Sequence, residues 1–588
     1  MLVRGGTVRA LAKSSRRAKL AGASRRPAAS DNTNSSRTSV PMGILETRKD
    51  QIFPTLTAHQ VDSARRFASG PEQRFAPGEA VFSVGAVGTP SWLVIEGEIE
   101  LTRRRGLSGE TSVTSYGVGQ FSGEVNALAG RPSISAGRAG PDGCIAIPFD
   151  APHLRALMIG TADLGEIVMR ALILRRVELI EDAEAGTILV GAPSNPKVVR
   201  LQVFLTRAGY PNLVLDATTD AEGKALIERL GISAAELPLI VCPDGTFLRD
   251  PTELELATCL GITPSIKDGA RFDVAIVGAG PAGLAAAVYA ASEGLSVVVF
   301  DGRNTGGQAG ASSRIENYLG FPTGISGRAL AGRAFNQAIK FGAEIAVPMH
   351  VDRLDCSGKE LTLEIAGGTR VISKAIVIAS GASYRRPDIP NLAEFEGNGV
   401  SYWASPIEAR LCAGEEVALV GGGNSAGQAI VFLAPQVRKL HLFVRRPLEQ
   451  TMSSYLIERI AALPNVELHV GSEVVGLEGD ASSGLSAATF RNRTDGSTHR
   501  CNLHHLFLFI GADPNTGWLH DCVDIDGKGF VVTGNGPLPL ETSLPGVFAI
   551  GDVRATSTKR VAAAVGEGAA VVSQIHAMLA SQATKEQP

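Results

Sequence analysis

Phe272-Asp273-Val274-Ala275-Ile276-Val277-Gly278-Ala279-Gly280-Pro281-Ala282-Gly283 decides the reading of this chain. An apolar run with the character of a buried strand, Phe272 to Val277, enters G-x-G-x-x-G without a break. The stretch from Leu284 to Glu293 then reads as a helix. Ser296 to Phe300 reads as a second strand and ends on Asp301. Strand, glycine loop and helix in that order turn a common pattern into a dinucleotide fingerprint. The glycines allow a tight turn and close backbone approach to a pyrophosphate at a helix N-terminus. Asp301 stands where an acid accepts from ribose hydroxyls.

The same logic returns downstream. Glu416 to Val420 enters Gly421-Gly422-Gly423-Asn424-Ser425-Ala426, and a helix runs to about Leu433. The strand Lys439 to Val444 closes on Arg445-Arg446 and not on an acid. Two guanidinium groups there suit the 2′-phosphate of NADPH. A solvated basic strand end is the plainer alternative. Two such loops with opposite charge downstream predict an electron path between two dinucleotides.

The chain has 588 residues, enough for several cores. Its 44% hydrophobic and 20% charged residues fit a globular protein, and a net charge of −3 gives no global attraction to nucleic acid or membrane. No run reads as long enough to span a bilayer, which needs about 20 apolar residues. The expected location is the cytoplasm. Seven cysteines show neither C-x-x-C spacing nor a Cys/His zinc pattern, so they read as buried apolar residues, and no metal site is expected. Residues 1–41 are basic and Ser/Ala-rich. A transit peptide, a disordered tail and read-through upstream of Met42 all remain open there.

Short alternating stretches over 72–150 read as strands, and 151–182 has the apolar period of a helix. Arg74-Phe75-Ala76-Pro77-Gly78-Glu79, Ile95-Glu96-Gly97-Glu98 and Gly119-Gln120-Phe121-Ser122-Gly123-Glu124 resemble the cyclic-nucleotide-binding domain family. That resemblance implies a β-barrel (jelly-roll) regulatory-like domain over 42–182. It also implies an arginine after Pro132 to neutralise a cyclic phosphate. Ser133 and Ile134 stand there, with Arg131 out of register. Residues 186–263 look like the thioredoxin fold, with Pro238 at that fold's cis-proline position. The segment where its redox pair belongs, Ala192 to Lys197, has no cysteine. This unit reads as a structural adaptor.

Residues 271–588 resemble the low-molecular-weight thioredoxin reductase family. The resemblance rests on Gly278–Gly283, Gly306-Gly307-Gln308, Ile315-Glu316-Asn317-Tyr318-Leu319-Gly320-Phe321-Pro322 and Ala379-Ser380-Gly381-Ala382. It continues through Gly421–Ala426, Pro545 to Asp552 and Arg560 to Gly568. It implies two Rossmann-like (three-layer ββα) domains. A split FAD-binding domain, 271–389 plus 511–588, surrounds an NADPH-binding insert, 390–510. It implies FAD contacts from Gly278, Gly280, Pro281, Ala282, Gly283, Asp301, Gly307, Gln308, Asn317, Gly381, Gly551, Asp552, Arg560 and Val561. It implies NADPH contacts from Gly421, Gly423, Asn424, Ser425, Ala426, Arg445 and Arg446, and a homodimer.

The family carries C-x-x-C and an acid after Gly-Val-Ser. Here Gly399-Val400-Ser401-Tyr402-Trp403-Ala404-Ser405-Pro406-Ile407 places Trp403 and Pro406 at the cysteine positions and Ile407 at the acid's. Gln450 replaces a further arginine common in the family. Trp403 either shields the flavin or fills the space of the disulfide. The expected activity is hydride transfer from NADPH to FAD with an unknown electron acceptor, small molecule or protein. A redox signalling or docking protein regulated through the N-terminal domain is an alternative. So are a thioredoxin-disulfide reductase using thiols in trans and an inactive scaffold.

Overall fold

The computed structural model describes residues 48–104, 110–181, 186–358, 360–480 and 483–586. The basic tail read at 1–41 lies outside them.

The first unit is an antiparallel sheet backed by helices. Its hydrogen-bonded order is Gln73–Phe75, Ala136–Phe149, Ser91–Arg104, Glu110–Tyr116, with Ala80–Phe82 also on Ala136–Phe149. The helix read over 151–182 is two helices, Ala151–Gly160 and Ala162–Glu181. Thr161 is extended, and its hydroxyl donates to Leu157 O at 2.6 Å, which ends the first helix. Of the apolar face read there, Leu154, Leu157, Leu164, Val168, Ala171 and Leu172 are buried, and Ile167 and Leu174 are half-buried.

A four-stranded sheet follows, in the order Asn212–Leu215, Thr187–Val190, Leu239–Val241, Phe247–Arg249. The first pair is parallel and the rest antiparallel. The Leu237-Pro238 peptide bond is cis.

Two parallel-sheet units make up the remainder. In the first, Ala270–Val277 lies between Val297–Phe300 and Thr369–Ile378, parallel to both. Val547–Ala549, from the far end of the chain, joins the same sheet beside Ile376–Ile378. In the second, the parallel order is Val400–Ser401, His505–Leu508, Glu416–Val420, Lys439–Val444, Val466–Val470. The chain passes between the two units twice, and the two crossings pair with each other. Ala382–Tyr384 is antiparallel to Ala512–Pro514, and Arg385 pairs with Asp513 at 2.7 Å. This two-stranded ribbon is a hinge by construction, because both covalent links run through it.

Two expectations need correction. The last helix, Val561–Glu586, contains a stretch, Val561–Gln582, long and apolar enough to cross a membrane. Glu567 and His576 interrupt it, and Val571, Val572 and Ile575 bury one face in the core shared with helix Pro281–Ser292. Its apolar character is that of the helix closing a nucleotide fold. The cysteines are not uniformly thiols either. Cys242 pairs with Cys259 and Cys356 with Cys522, whereas Cys144, Cys412 and Cys501 are buried and free. The Cys356–Cys522 bridge joins the two separated parts of the first parallel-sheet unit, so the fold brings together what spacing alone keeps apart.

Candidate active site

Each glycine loop follows a buried parallel strand and leads into a helix. At Gly278 the backbone has φ +116°, and a Cβ there would lie 2.1 Å from Ala379 O. Gly280 caps helix Pro281–Ser292, with Pro281 in its first turn, where the missing N–H costs nothing. A Cβ at Gly283 would meet Gly278 O at 1.8 Å, so the loop and its helix touch backbone to backbone. The second loop repeats the device. Gly421 has φ +146°, with Phe509 O 2.4 Å from the Cβ position, and Gly423 caps helix Asn424–Leu433. Gly278, Gly283 and Gly421 are positions that only glycine can fill, and the two loops fit a pyrophosphate at a helix N-terminus.

Asp301 ends strand Val297–Phe300 as expected, but its carboxylate is also a brace for the loop. Oδ2 accepts from Ala279 N at 2.9 Å, and Oδ1 accepts from Arg303 N at 2.9 Å and Asn304 N at 3.2 Å. Burial raises the carboxyl above the ordinary aspartate range, and these amides pull the other way.

The other predicted first-site residues converge from distant parts of the chain. Gly306 N donates to Ala279 O at 2.7 Å, which seats Gly307 beside Gly280. Gln308 Nε2 donates to Ala382 O on the hinge ribbon. Gly381 has φ +65° at the start of that ribbon, and Asn317 is exposed on the loop after Ile315. Gly551 lies against Ala282, with 2.9 Å between its Cβ position and that methyl. Asp552 follows, half-buried. Burial raises its carboxyl, and Lys559 opposes that shift. Arg560 is exposed, and Val561 opens the last helix.

Two residues escaped the sequence reading. Glu567 accepts from Gly551 N at 2.6 Å and pairs with Arg554 at 2.5 Å, which fixes the turn carrying Asp552. An acid early in an otherwise apolar Ala/Val helix is the sequence signal. Tyr384, on the hinge, is half-buried and close enough to Asp552 for that carboxylate to raise its hydroxyl further, after burial itself.

At the second loop, Asn424 Oδ1 accepts from Ser453 N at 2.8 Å. Ser425 is exposed in the first helical turn, and Ala426 is buried. Arg445 and Arg446 leave the carboxyl end of strand Lys439–Val444, both exposed. Among the described residues neither has an ion pair within 4.0 Å, although the charge of Arg445 is felt by Glu473, which pairs with Arg491 and Arg493. Glu316, beside Asn317, ties to Arg459 of the second unit and lies 3.5 Å from Arg314. The two units therefore touch next to the first site.

Trp403 is not a buried filler. It is 39% exposed, its Nε1 donates to Glu408 Oε1 at 2.9 Å, and Arg207 of the four-stranded unit lies 5.9 Å from its ring centre. Filling a disulfide's volume would need a buried side chain, and Trp403 leaves over a third of its surface in solvent. Cys412 is fully buried, and burial pushes its thiol up to about 11. Below that pH the group stays protonated, with a thiolate fraction of roughly 10⁻⁴ at neutrality. Alkylation of the native chain should leave Cys412 unmodified near neutral pH and begin only as pH climbs toward its pKa. Peptide mass spectrometry after a short iodoacetamide pulse measures this, and rapid neutral labelling would refute the burial argument.

Each parallel-sheet unit carries one glycine-lined dinucleotide cradle, and the two units are joined by the paired strands Ala382–Tyr384 and Ala512–Pro514. Comparison with known proteins agrees. The pattern of the pyridine nucleotide-disulphide oxidoreductase family matches residues 272–568. The chain is 32% identical over 333 residues to NADPH-dependent thioredoxin reductase 3 of Arabidopsis thaliana, covering 55% of this chain and 62% of that one. It is 32% identical over 311 residues to a thioredoxin reductase of Mycolicibacterium smegmatis, covering 53% and 97%. The Lactococcus lactis thioredoxin reductase structure in its FR conformation superposes with a TM-score of 0.50 at 26% identity, covering 53% of this chain and 99% of that one. This chain belongs to the pyridine nucleotide-disulphide oxidoreductase family. Its C-terminal half is a thioredoxin-reductase-like enzyme of the kind that uses FAD and NADPH. The alignment stops short of two thirds of the Arabidopsis protein's length.

Proposed function

We propose that this enzyme oxidises NADPH with FAD and delivers the electrons to an acceptor that is not a dithiol of its own reductase core. FAD, when bound, supplies the two-electron acceptor for the nicotinamide hydride. Gly278, Gly280 and Gly283 would let the FAD pyrophosphate approach the first-turn backbone N–H groups that follow Pro281, beginning with Ala282, and Asp301 would lie on the ribose side. Gly307, Gln308, Asn317 and Gly381 would hold the flavin from one part of the chain. Gly551, Asp552, Arg560 and Val561 would hold it from the other. Gly421, Gly423, Asn424, Ser425 and Ala426 seat the NADPH pyrophosphate, and Arg445 and Arg446 take its 2′-phosphate.

The observation that carries the proposal is the segment Tyr402 to Ile407. The resemblance to thioredoxin reductases puts the two redox cysteines at Trp403 and Pro406. A disulfide relay needs a thiolate, and the nearby Cys412 is buried and protonated. The contacts of Trp403 with Glu408 and Arg207 support a role in seating the four-stranded unit more than in shielding the flavin. The test is anaerobic reduction with NADPH followed by a panel of thioredoxin, ferredoxin, flavodoxin and quinone. Thioredoxin should be reduced no faster than by a Trp403→Ala, Cys412→Ser variant. Thioredoxin turnover at rates typical of the family would defeat the proposal.

We read residues 48–181 as a cyclic-nucleotide-binding-like unit and the four-stranded unit as thioredoxin-like, both serving docking and not chemistry. A cavity of about 50 Å³ in the first is lined by Arg103, Glu124, Asn126, Arg131, Ser133 and Arg175. That is space for a few waters. Arg175 spends Nε and Nη1 on Ile52 O and Gly123 O, at 2.9 and 2.8 Å, and Arg176 lies 3.6 Å from Glu124. Calorimetry with cyclic AMP and cyclic GMP should show no micromolar binding. Such binding would restore the sensor reading.

A further inference from the structure

Three adjacent parallel strands of the inserted unit bring ionisable side chains together on one face of the sheet. In the strand register His441 pairs with Glu467 and Phe443 with His469. Side chains two apart on a strand share a face, so these four residues face the same way. His441 Nδ1 lies 3.2 Å from His469 Nε2 and 3.6 Å from Glu467 Oε2, and His469 Nε2 lies 3.7 Å from Glu467 Oε1. Ligands at zinc bond lengths of about 2.0–2.2 Å around a tetrahedral ion sit roughly 3.3–3.6 Å from one another. The two imidazole nitrogens are spaced close to one edge of such a site, and the Glu467 carboxylate presents Oε2 to His441 and Oε1 to His469 at nearly the same spacing.

The supporting groups are those a metal-binding histidine needs. His441 is buried, and its other nitrogen, Nε2, is 2.6 Å from Glu416 Oε1. Donation to that carboxylate fixes the tautomer and leaves Nδ1 with its lone pair toward the cluster. The His469 ring is held by stacking on Phe443, 4.5 Å between centroids. Lys439 Nζ occupies one oxygen of Glu467, Oε2 at 2.6 Å, and the other faces His469. Arg438 shares Glu416 at 3.2 Å. His499, exposed, has its ring centre 5.8 Å from that of His469 and can close the fourth position, which water fills otherwise.

We infer that His441, His469 and Glu467 form a binding site for a divalent transition-metal ion, zinc by preference, with Glu416 as the positioning carboxylate behind His441. Two imidazoles and a carboxylate suit zinc among the common biological cations. His441 stands four strand residues before Arg445, and His469, level with Phe443, stands two residues before it. The ion's role is a cross-strand staple in the inserted unit. The cysteine and histidine spacing in the sequence predicted no metal site. The ligands are missed that way because they come from adjacent strands, and no C-x-x-C or H-x₃-H pattern is involved.

The test uses the untagged full-length flavoprotein without reductant, stripped with chelator and titrated with zinc chloride against a fluorescent zinc chelator. Elemental analysis after dialysis counts the bound ion. The expected result is about one zinc per chain. Glu467→Gln and His469→Gln, both changes at the more open side of the cluster, should each weaken binding at least tenfold. Glu416→Gln should weaken it by about 10- to 100-fold, the range for an outer-sphere carboxylate. Flavin content and circular dichroism should match the parent chain. Cobalt substitution should add tetrahedral d–d absorption to the red of the flavin bands, and His469→Gln should remove it. The inference is overturned if the parent chain binds no zinc, or binds it as tightly after Glu467→Gln and His469→Gln.

Discussion

Gly278→Ala should yield a protein that purifies almost free of flavin. The methyl group would enter at 2.1 Å from Ala379 O, at a backbone φ of +116°. Both partners are main chain, so no side-chain rotation relieves the overlap. A non-glycine residue in such backbone costs about 1–3 kcal/mol before any clash is counted. The loop must therefore move, and with it the amides that meet the pyrophosphate. Flavin occupancy, read from the ratio of visible to protein absorbance, should fall more than tenfold. Gly421→Ala is the control, because the same collision, 2.4 Å from Phe509 O, falls in the other unit. That variant should keep its flavin and lose NADPH binding. If Gly278→Ala retained full flavin, the first loop would not be the FAD cradle.

Replacing Arg445 and Arg446 together with alanine should raise KM for NADPH about a hundredfold and leave kcat and the KM for NADH nearly unchanged. A hydrogen bond to a charged group contributes about 1.5–3 kcal/mol. Both side chains are exposed, so solvent screening holds each to the low end. Two such losses sum to about 3 kcal/mol, and a factor of ten is about 1.4 kcal/mol. A change confined to KM marks binding that is uniform between ground and transition state, which is what a 2′-phosphate far from the nicotinamide supplies. Steady-state kinetics with both nucleotides makes the measurement. An equal loss with NADH would show that the arginines support the fold and do not select the phosphate.

What the sequence disclosed depended on how local each feature was. The two glycine loops were legible because strand, turn and helix are contiguous, so residue order alone carries the three-dimensional meaning. The hinge was only implied. Ala382–Tyr384 and Ala512–Pro514 are far apart in the chain, and the pairing between them exists only in the fold. The Cys356–Cys522 bridge spans 166 residues and leaves no spacing signature. Asp301 was placed correctly at its strand end, but its hold on Ala279 N depends on loop curvature that no motif encodes. Trp403 was legible as a departure from a family pattern. Its neighbour Arg207 comes from a separate unit, so its contact was out of reach. The helix at 561–586 shows the opposite error. Glu567 and His576 break its apolar run in sequence, yet Val561–Gln582 is still apolar enough over 22 residues to cross a membrane.

The proposed output without a resident dithiol changes how many electrons the enzyme stores. The most direct measurement is an anaerobic titration of the full-length flavoprotein with NADPH, following flavin absorbance to its endpoint. A reductase core with FAD and no relay disulfide should bleach fully with about one NADPH per flavin. An endpoint near two, with a matching gain of titratable thiols, would show that a disulfide in this chain takes electrons from the flavin, and the central claim would be wrong.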